Sequence, residues 1–154
     1  MIKKTKILLS ILCLFLLFSL SGCGKDTALD DYKNKMETFF EQLSDYDGLI
    51  NSLDPYSDSA VPDILNYLDG VALAVKEMAT YDVPEVFYGV DELARQADEY
   101  MAEAVLLFNE AFLASPYNDN IALAATENYE RANLRLRYIA EILRGDIPEE
   151  IFSN

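Results

Sequence analysis

The amino-acid sequence predicts an all-α fold, an antiparallel four-helix bundle in up-down-up-down order. Three observations carry this. Four stretches of helical length set apolar residues at alternating steps of three and four, the rhythm that keeps one stripe of a helix against a neighbour. Prolines, glycines and short polar residues separate those stretches, so the connections are short and consecutive helices run antiparallel. No segment alternates apolar and polar residues with β-branched enrichment, so no strand is expected. Two long hairpins that open and dimerise would satisfy the same pattern.

The first stretch starts at Thr27, with Asp30 three residues on, a pair able to satisfy free backbone donors at a helix start. Its stripe is Leu29, Tyr32, Met36, Phe39, Leu43, Tyr46, Ile50 and Leu53, and Asp54-Pro55 ends it. The second runs from about Ser59 to Tyr81, with Pro62 in the first turn and Val61, Ile64, Leu68, Val71, Val75 and Met78 as its stripe. Asp82, Pro84 and Glu85 then read as a cap, a first-turn proline and a capping-box acid. They open a third helix reaching about Ala114, striped by Phe87, Val90, Ala94, Ala97, Met101, Ala104, Phe108 and Ala111. Ser115 to Asn118 form a turn, and the fourth helix runs from near Asp119 to Arg144-Gly145. Its stripe is Ala122, Ala125, Tyr129, Ala132, Leu136, Ile139 and Leu143. Gly48, Gly70 and Gly89 fall inside these stretches. Close helix packing or an earlier helix end is the plainer reading of each, and Gly48 is the expected bend.

Ahead of the bundle, Lys3, Lys4 and Lys6 precede fourteen residues, Ile7 to Leu20, interrupted only by Ser10 and Ser19. That run is short for a membrane span, which needs about 20 apolar residues, and suits the hydrophobic region of a signal peptide. Leu20-Ser21-Gly22-Cys23 follows and resembles the lipobox of bacterial lipoproteins. The resemblance covers residues 1 to 23. It implies cleavage before Cys23, with a diacylglyceryl group on the cysteine thiol. A plain signal peptide cut near Gly22 is the alternative. The expected organisation is a cleaved lipoprotein signal peptide over 1–22, the lipidated Cys23 and a short tether over 23–26, the bundle over 27–145 and a tail over 146–154. Two acyl chains hold where one is marginal, each buried methylene contributing roughly 0.8 kcal/mol. The expected location is therefore the extracytoplasmic face of the cell membrane, reached through the lipid on Cys23. Only Gly24, Lys25 and Asp26 separate that lipid from Thr27, so the bundle rides close to the bilayer and a membrane-bound protein partner is expected.

Without residues 1–22 the chain has nine Lys plus Arg against 27 Asp plus Glu, a net charge of −18. Such a surface repels nucleic acid and anionic headgroups, so no nucleic-acid partner is expected. Cys13 leaves with the signal and Cys23 carries the lipid, which leaves the mature chain neither a disulfide nor a thiol nucleophile. Histidine is absent from the sequence. That excludes Ser–His and Cys–His nucleophile pairs, His-ligated metals and the Glu-x-x-His pairs of di-iron bundles. No catalytic residue, metal site or cofactor is expected.

The densest carboxylate group is Asp91, Glu92, Asp98, Glu99 and Glu103. Seven-residue spacing puts Asp91 with Asp98, and Glu92 with Glu99, where two carboxylates could bind a hard cation or act as acid and base. These positions lie outside the apolar stripe, and Asp91 has Arg95 four residues on, so a solvated face is the plainer reading. Asp45-x-Asp47-Gly48 and Asp54-x-Tyr56-x-Asp58 each match part of a calcium loop, but Leu43 and Ser59 stand where an oxygen ligand and glycine belong. On the fourth helix, Arg131, Arg135, Arg137 and Arg144 supply four of the nine positive charges. Asn128, Arg131 and Arg135 are the candidate ligand-binding residues, able to hold a carboxylate or phosphate. Pairing with acids of neighbouring helices, and of Arg131 with Glu127, is the plainer reading. Among ten tyrosines, Tyr32, Tyr46 and Tyr129 are expected in the core, and Tyr56, Tyr88, Tyr100 and Tyr117 at the surface.

Three functions fit. The first is a non-catalytic interaction or structural module docking another envelope protein. The second is an extracytoplasmic binder of a small ligand or cation beside a transporter or sensor, seeded by Asn128 and Arg135. The third is a carboxylate hydrolase, which needs two acids converging in a cleft and finds no pair on an inward face.

Overall fold

The computed structural model of the chain describes residues 27–146. The leader, Cys23, the tether and nearly all of the tail lie outside the described residues. Four helices pack as a bundle: α1 (Thr27–Ser52), α2 (Ala60–Met78), α3 (Val90–Leu113) and α4 (Asp119–Arg144). The described residues contain no strand. Sequential neighbours α1–α2, α2–α3 and α3–α4 make the helix–helix packing, as short connections require.

Each helix buries most of the stripe that its sequence spacing selects; Val61, in the first turn of α2, is the exception, exposed beyond the end of the core. Tyr32, Met36, Phe39 and Leu43 of α1 meet Leu68, Val71, Val75 and Met78 of α2 in one core, which Val90, Ala97, Met101, Ala132, Leu136 and Ile139 complete from α3 and α4. The caps are as local as the stripes. Asn118 accepts through its side chain from the backbone N–H groups of Asn120 and Ile121, opening α4. Gly145, at φ 90°, closes α4 in the left-handed conformation that glycine adopts without strain.

The start of the third helix differs from the expectation. Glu85–Phe87 forms a single 3₁₀ turn, and α3 begins only at Val90, after Gly89 at φ 86°. Phe87 explains the break. It turns into the core against Tyr32, with ring centroids 5.7 Å apart, and the left-handed glycine then redirects the chain into α3. Gly89 is therefore a junction, not a helical residue. Gly48 does not end its helix, since α1 continues to Ser52. Gly70 answers to the plainer reading: a Cβ there would lie 2.5 Å from the Tyr46 ring, so the missing side chain is what lets that ring lie over α2.

Candidate functional site

Asn128, Arg131 and Arg135 share one face of α4, spaced three and four residues apart. Arg131 and Arg135 converge on Tyr100 of α3, their guanidinium carbons 5.8 and 5.0 Å from its ring centroid. Arg135, half-buried, also donates through Nε to Gln96 Oε1 at 3.1 Å. Arg131 is exposed and lies 3.9 Å from Glu127, as expected from the four-residue spacing. Asn128 stands apart from both. Its amide donates to the carbonyl of Ala124 at 3.0 Å, within its own helix.

The contacts across the bundle are thus made with a neutral amide and an aromatic ring, where acids were expected. Gln96 links them to α3's surface by donating to Glu92 Oε1 at 2.7 Å. Sequence reasoning missed Gln96 and placed Tyr100 among the exposed tyrosines, whereas it is half-buried against the core. Their four-residue spacing gives them one face of α3, but only the register of α3 on α4 shows that this face meets the arginines.

The acidic group on α3 is organised around Arg95. Arg95 donates to both oxygens of Glu92, at 3.0 and 2.6 Å, and to Glu99. This replaces the expected partnership with Asp91. Glutamates at i−3 and i+4 have the reach to meet the guanidinium fork from both sides. Hydrogen bonds from Arg95 and Gln96 pull the Glu92 carboxyl down to about 2. It stays ionised at neutral pH, the wrong state for a general acid.

The partial calcium loops are not loops of that kind. Asp45 and Asp47 sit on α1, and Asp54 folds its carboxylate over its own turn, accepting from Tyr56 N–H at 3.0 Å. Among the described residues no group of three or more Cys, Asp or Glu is placed to hold a metal ion. Asp47 is nonetheless unusual. Its Oδ1 is buried without a hydrogen-bond partner among the described residues, and burial raises its pKa, opposed by the Asn51 side chain. Across from it stands Tyr129, bonded to Asn133 and pushed up to about 12 by burial. Burial likewise holds Tyr32 at about 12, with the Asp91 charge adding to the effect.

A shallow groove of about 400 Å³ opens between α1 and the end of α2, lined by Asn34, Lys35, Thr38, Glu77 and Tyr81. The Lys35 ammonium stands 5.3 Å from the centre of the Tyr81 ring. None of the described helices is long and apolar enough to cross a membrane. Comparison with protein families, with characterised proteins and with solved structures gives no match to this chain.

Proposed function

We propose that this protein is an extracytoplasmic lipoprotein, anchored through Cys23, whose helical bundle serves as a non-catalytic module that docks another protein of the cell envelope. The observation that carries the docking role is a set of leucines left outside a complete core. Leu106 and Leu113, two turns apart on one face of α3, are 62% and 74% exposed, and Leu123 of α4 is 61% exposed. Single exposed apolar residues are ordinary, but Leu106 and Leu113 share one face, and grouped exposed apolar side chains mark protein-interaction surfaces. The lipobox resemblance supports the anchor, and the three-residue spacer supports a partner held at the same membrane.

The test is site-specific photocrosslinking in intact membranes, with the crosslinker at position 113 of the full chain and, as a control, at exposed Glu37. A discrete adduct from 113 that disappears in Leu106→Asp supports docking. Equal, diffuse labelling from both positions contradicts it, as does hydrolytic activity in the purified protein that survives every purification step.

A further inference from the structure

Charge is divided unevenly along the bundle axis. Residues 36–75 and 96–130, which form the two hairpin turns and the helix segments next to them, contain fifteen Asp plus Glu and neither Lys nor Arg. The rest of the described chain, residues 27–35, 76–95 and 131–146, has eight Lys plus Arg against nine Asp plus Glu. These segments meet at one end of the molecule. Phe87 touches Tyr32 near the start of α1, and the pairing of Arg131 with Tyr100 and of Arg135 with Gln96 runs the end of α4 towards the start of α3. One pole is therefore uniformly acidic, and the other is close to neutral.

The near-neutral pole is also where the chain arrives from Cys23, four residues before Thr27. At this pole the 3₁₀ turn points Phe87 inward and leaves its two neighbours outside: Val86 is 69% exposed and Tyr88 is 89% exposed. A tyrosine beside an aliphatic side chain suits the headgroup boundary, where the ring is buried and the hydroxyl stays wet.

We infer that this pole is a membrane-contact surface: Val86 and Tyr88 enter the lipid interface and, with the anchor, hold the bundle upright. The inference rests on the proposed lipidation of Cys23. Electrostatics favour the upright pose over the flat one, although exposed Asp82, Glu85, Asp91 and Glu92 flank the pair. A surface rich in anionic lipid sits at roughly −30 mV, and its field decays within a Debye length of about 8 Å. Upright, the turn at Tyr56 stands a helix length away, about 39 Å for the 26 residues of α1, beyond that field. Lying flat would bring the acidic segments inside it. Leu113, Leu123 and Tyr56 are exposed as well, but they belong to the acidic pole and face away from the lipid, where a protein partner can reach them.

Two label sites of equal exposure separate the poles, since Tyr56 and Tyr88 are both 89% exposed. Tyr56→Cys and Tyr88→Cys are expressed as full chains, purified from membranes, labelled with an environment-sensitive fluorophore and reconstituted into phosphatidylcholine–phosphatidylglycerol vesicles with brominated acyl chains. Mass analysis of the N-terminal peptide from the same sample reports on Cys23. Lipidated protein should lose most of its emission at 88 and keep it at 56. Adding Val86→Glu should restore much of the emission at 88, with an unchanged helical circular dichroism spectrum. Lipidated protein bright at both sites, or quenched at both, overturns the membrane-contact surface and leaves the anchor standing. A bare Cys23 removes the anchor, and the contact surface with it.

Discussion

The two hairpins of this bundle are built from different materials. The α1–α2 half fills its interior with large side chains: Tyr32, Met36, Phe39 and Leu43 against Leu65, Leu68, Val71, Val75 and Met78. The α3–α4 half is seamed with alanine, and Ala97, Ala104, Ala111, Ala125 and Ala132 are fully buried. Side-chain size at the contact sets the distance between helix axes, so α3 and α4 approach each other much more closely along their length than any other pair. One half is a filled space and the other a tight seam. The first is vulnerable to truncation and the second to enlargement.

Truncation on the α1 side gives the largest expected effect. Phe39→Ala should lower stability by about 3–5 kcal/mol, because a large ring leaves a core that cannot fully collapse behind it. Chemical denaturation followed by circular dichroism measures this. Enlargement on the other side comes next. Ala97→Leu, placed where exposure is 0%, should cost about 1–3 kcal/mol, while Ala102→Leu on the exposed face of the same helix should change little. Equal tolerance of Leu at 97 and 102 would erase the distinction between the halves.

Each half also holds a buried tyrosine, and these should respond alike to alkali. Tyr32 and Tyr129 titrate at about 12 when folded, against 10 in an open chain. The folded state keeps its protons longer, so the stability concerned is complete below pH 10 and is lost as pH rises from 10 to about 12. At full ionisation this amounts to roughly 3 kcal/mol at most for each ring. Denaturation midpoints of Tyr129→Phe measured across that window should fall less steeply than those of the native chain.

The seams that produce this contrast were legible in the sequence, because period and residue size are local properties. Helix ends were legible where a single residue makes the stop, as Gly145 does, whereas Asn118 read only as part of a turn and its capping role came with the structure. They were misread where tertiary packing overrides the local signal. Asp82, Pro84 and Glu85 have the composition of a helix start, yet Phe87 is drawn to Tyr32 and delays α3 until Gly89 can turn the chain. The candidate site was legible only in part. Arg131 and Arg135 stand out by charge and spacing, but Gln96 and Tyr100 gain their meaning from helix register, which no single helix encodes.

Gly70 gives a finer test, because the Tyr46 ring lies where its side chain would be. Alanine improves an exposed helix by about 1 kcal/mol over glycine. At Gly70 the added methyl should displace the Tyr46 ring and cancel that gain. In a Tyr46→Ala background the same change should stabilise by about 1 kcal/mol, and a double-mutant cycle read by denaturation isolates the coupling. The smallest effect belongs to the surface of α3. Hydrogen bonds from Arg95 and Gln96 hold Glu92 at about 2, below its ordinary 4.5, so its contribution is present above pH 4.5 and is lost as pH falls towards 2. Both partners are well exposed, and solvent screens the pair. Glu92→Gln should flatten the acid limb of the stability profile only slightly.

What would join the architecture to a role is the proposed attachment of this acidic bundle to lipid by its near-neutral end. Intact-mass measurement of the protein extracted from membranes addresses that directly. The expected species begins at Cys23, lacks residues 1–22 and carries the mass of a diacylglyceryl thioether. A chain beginning elsewhere, or a Cys23 whose sulfur is unmodified, would contradict the account.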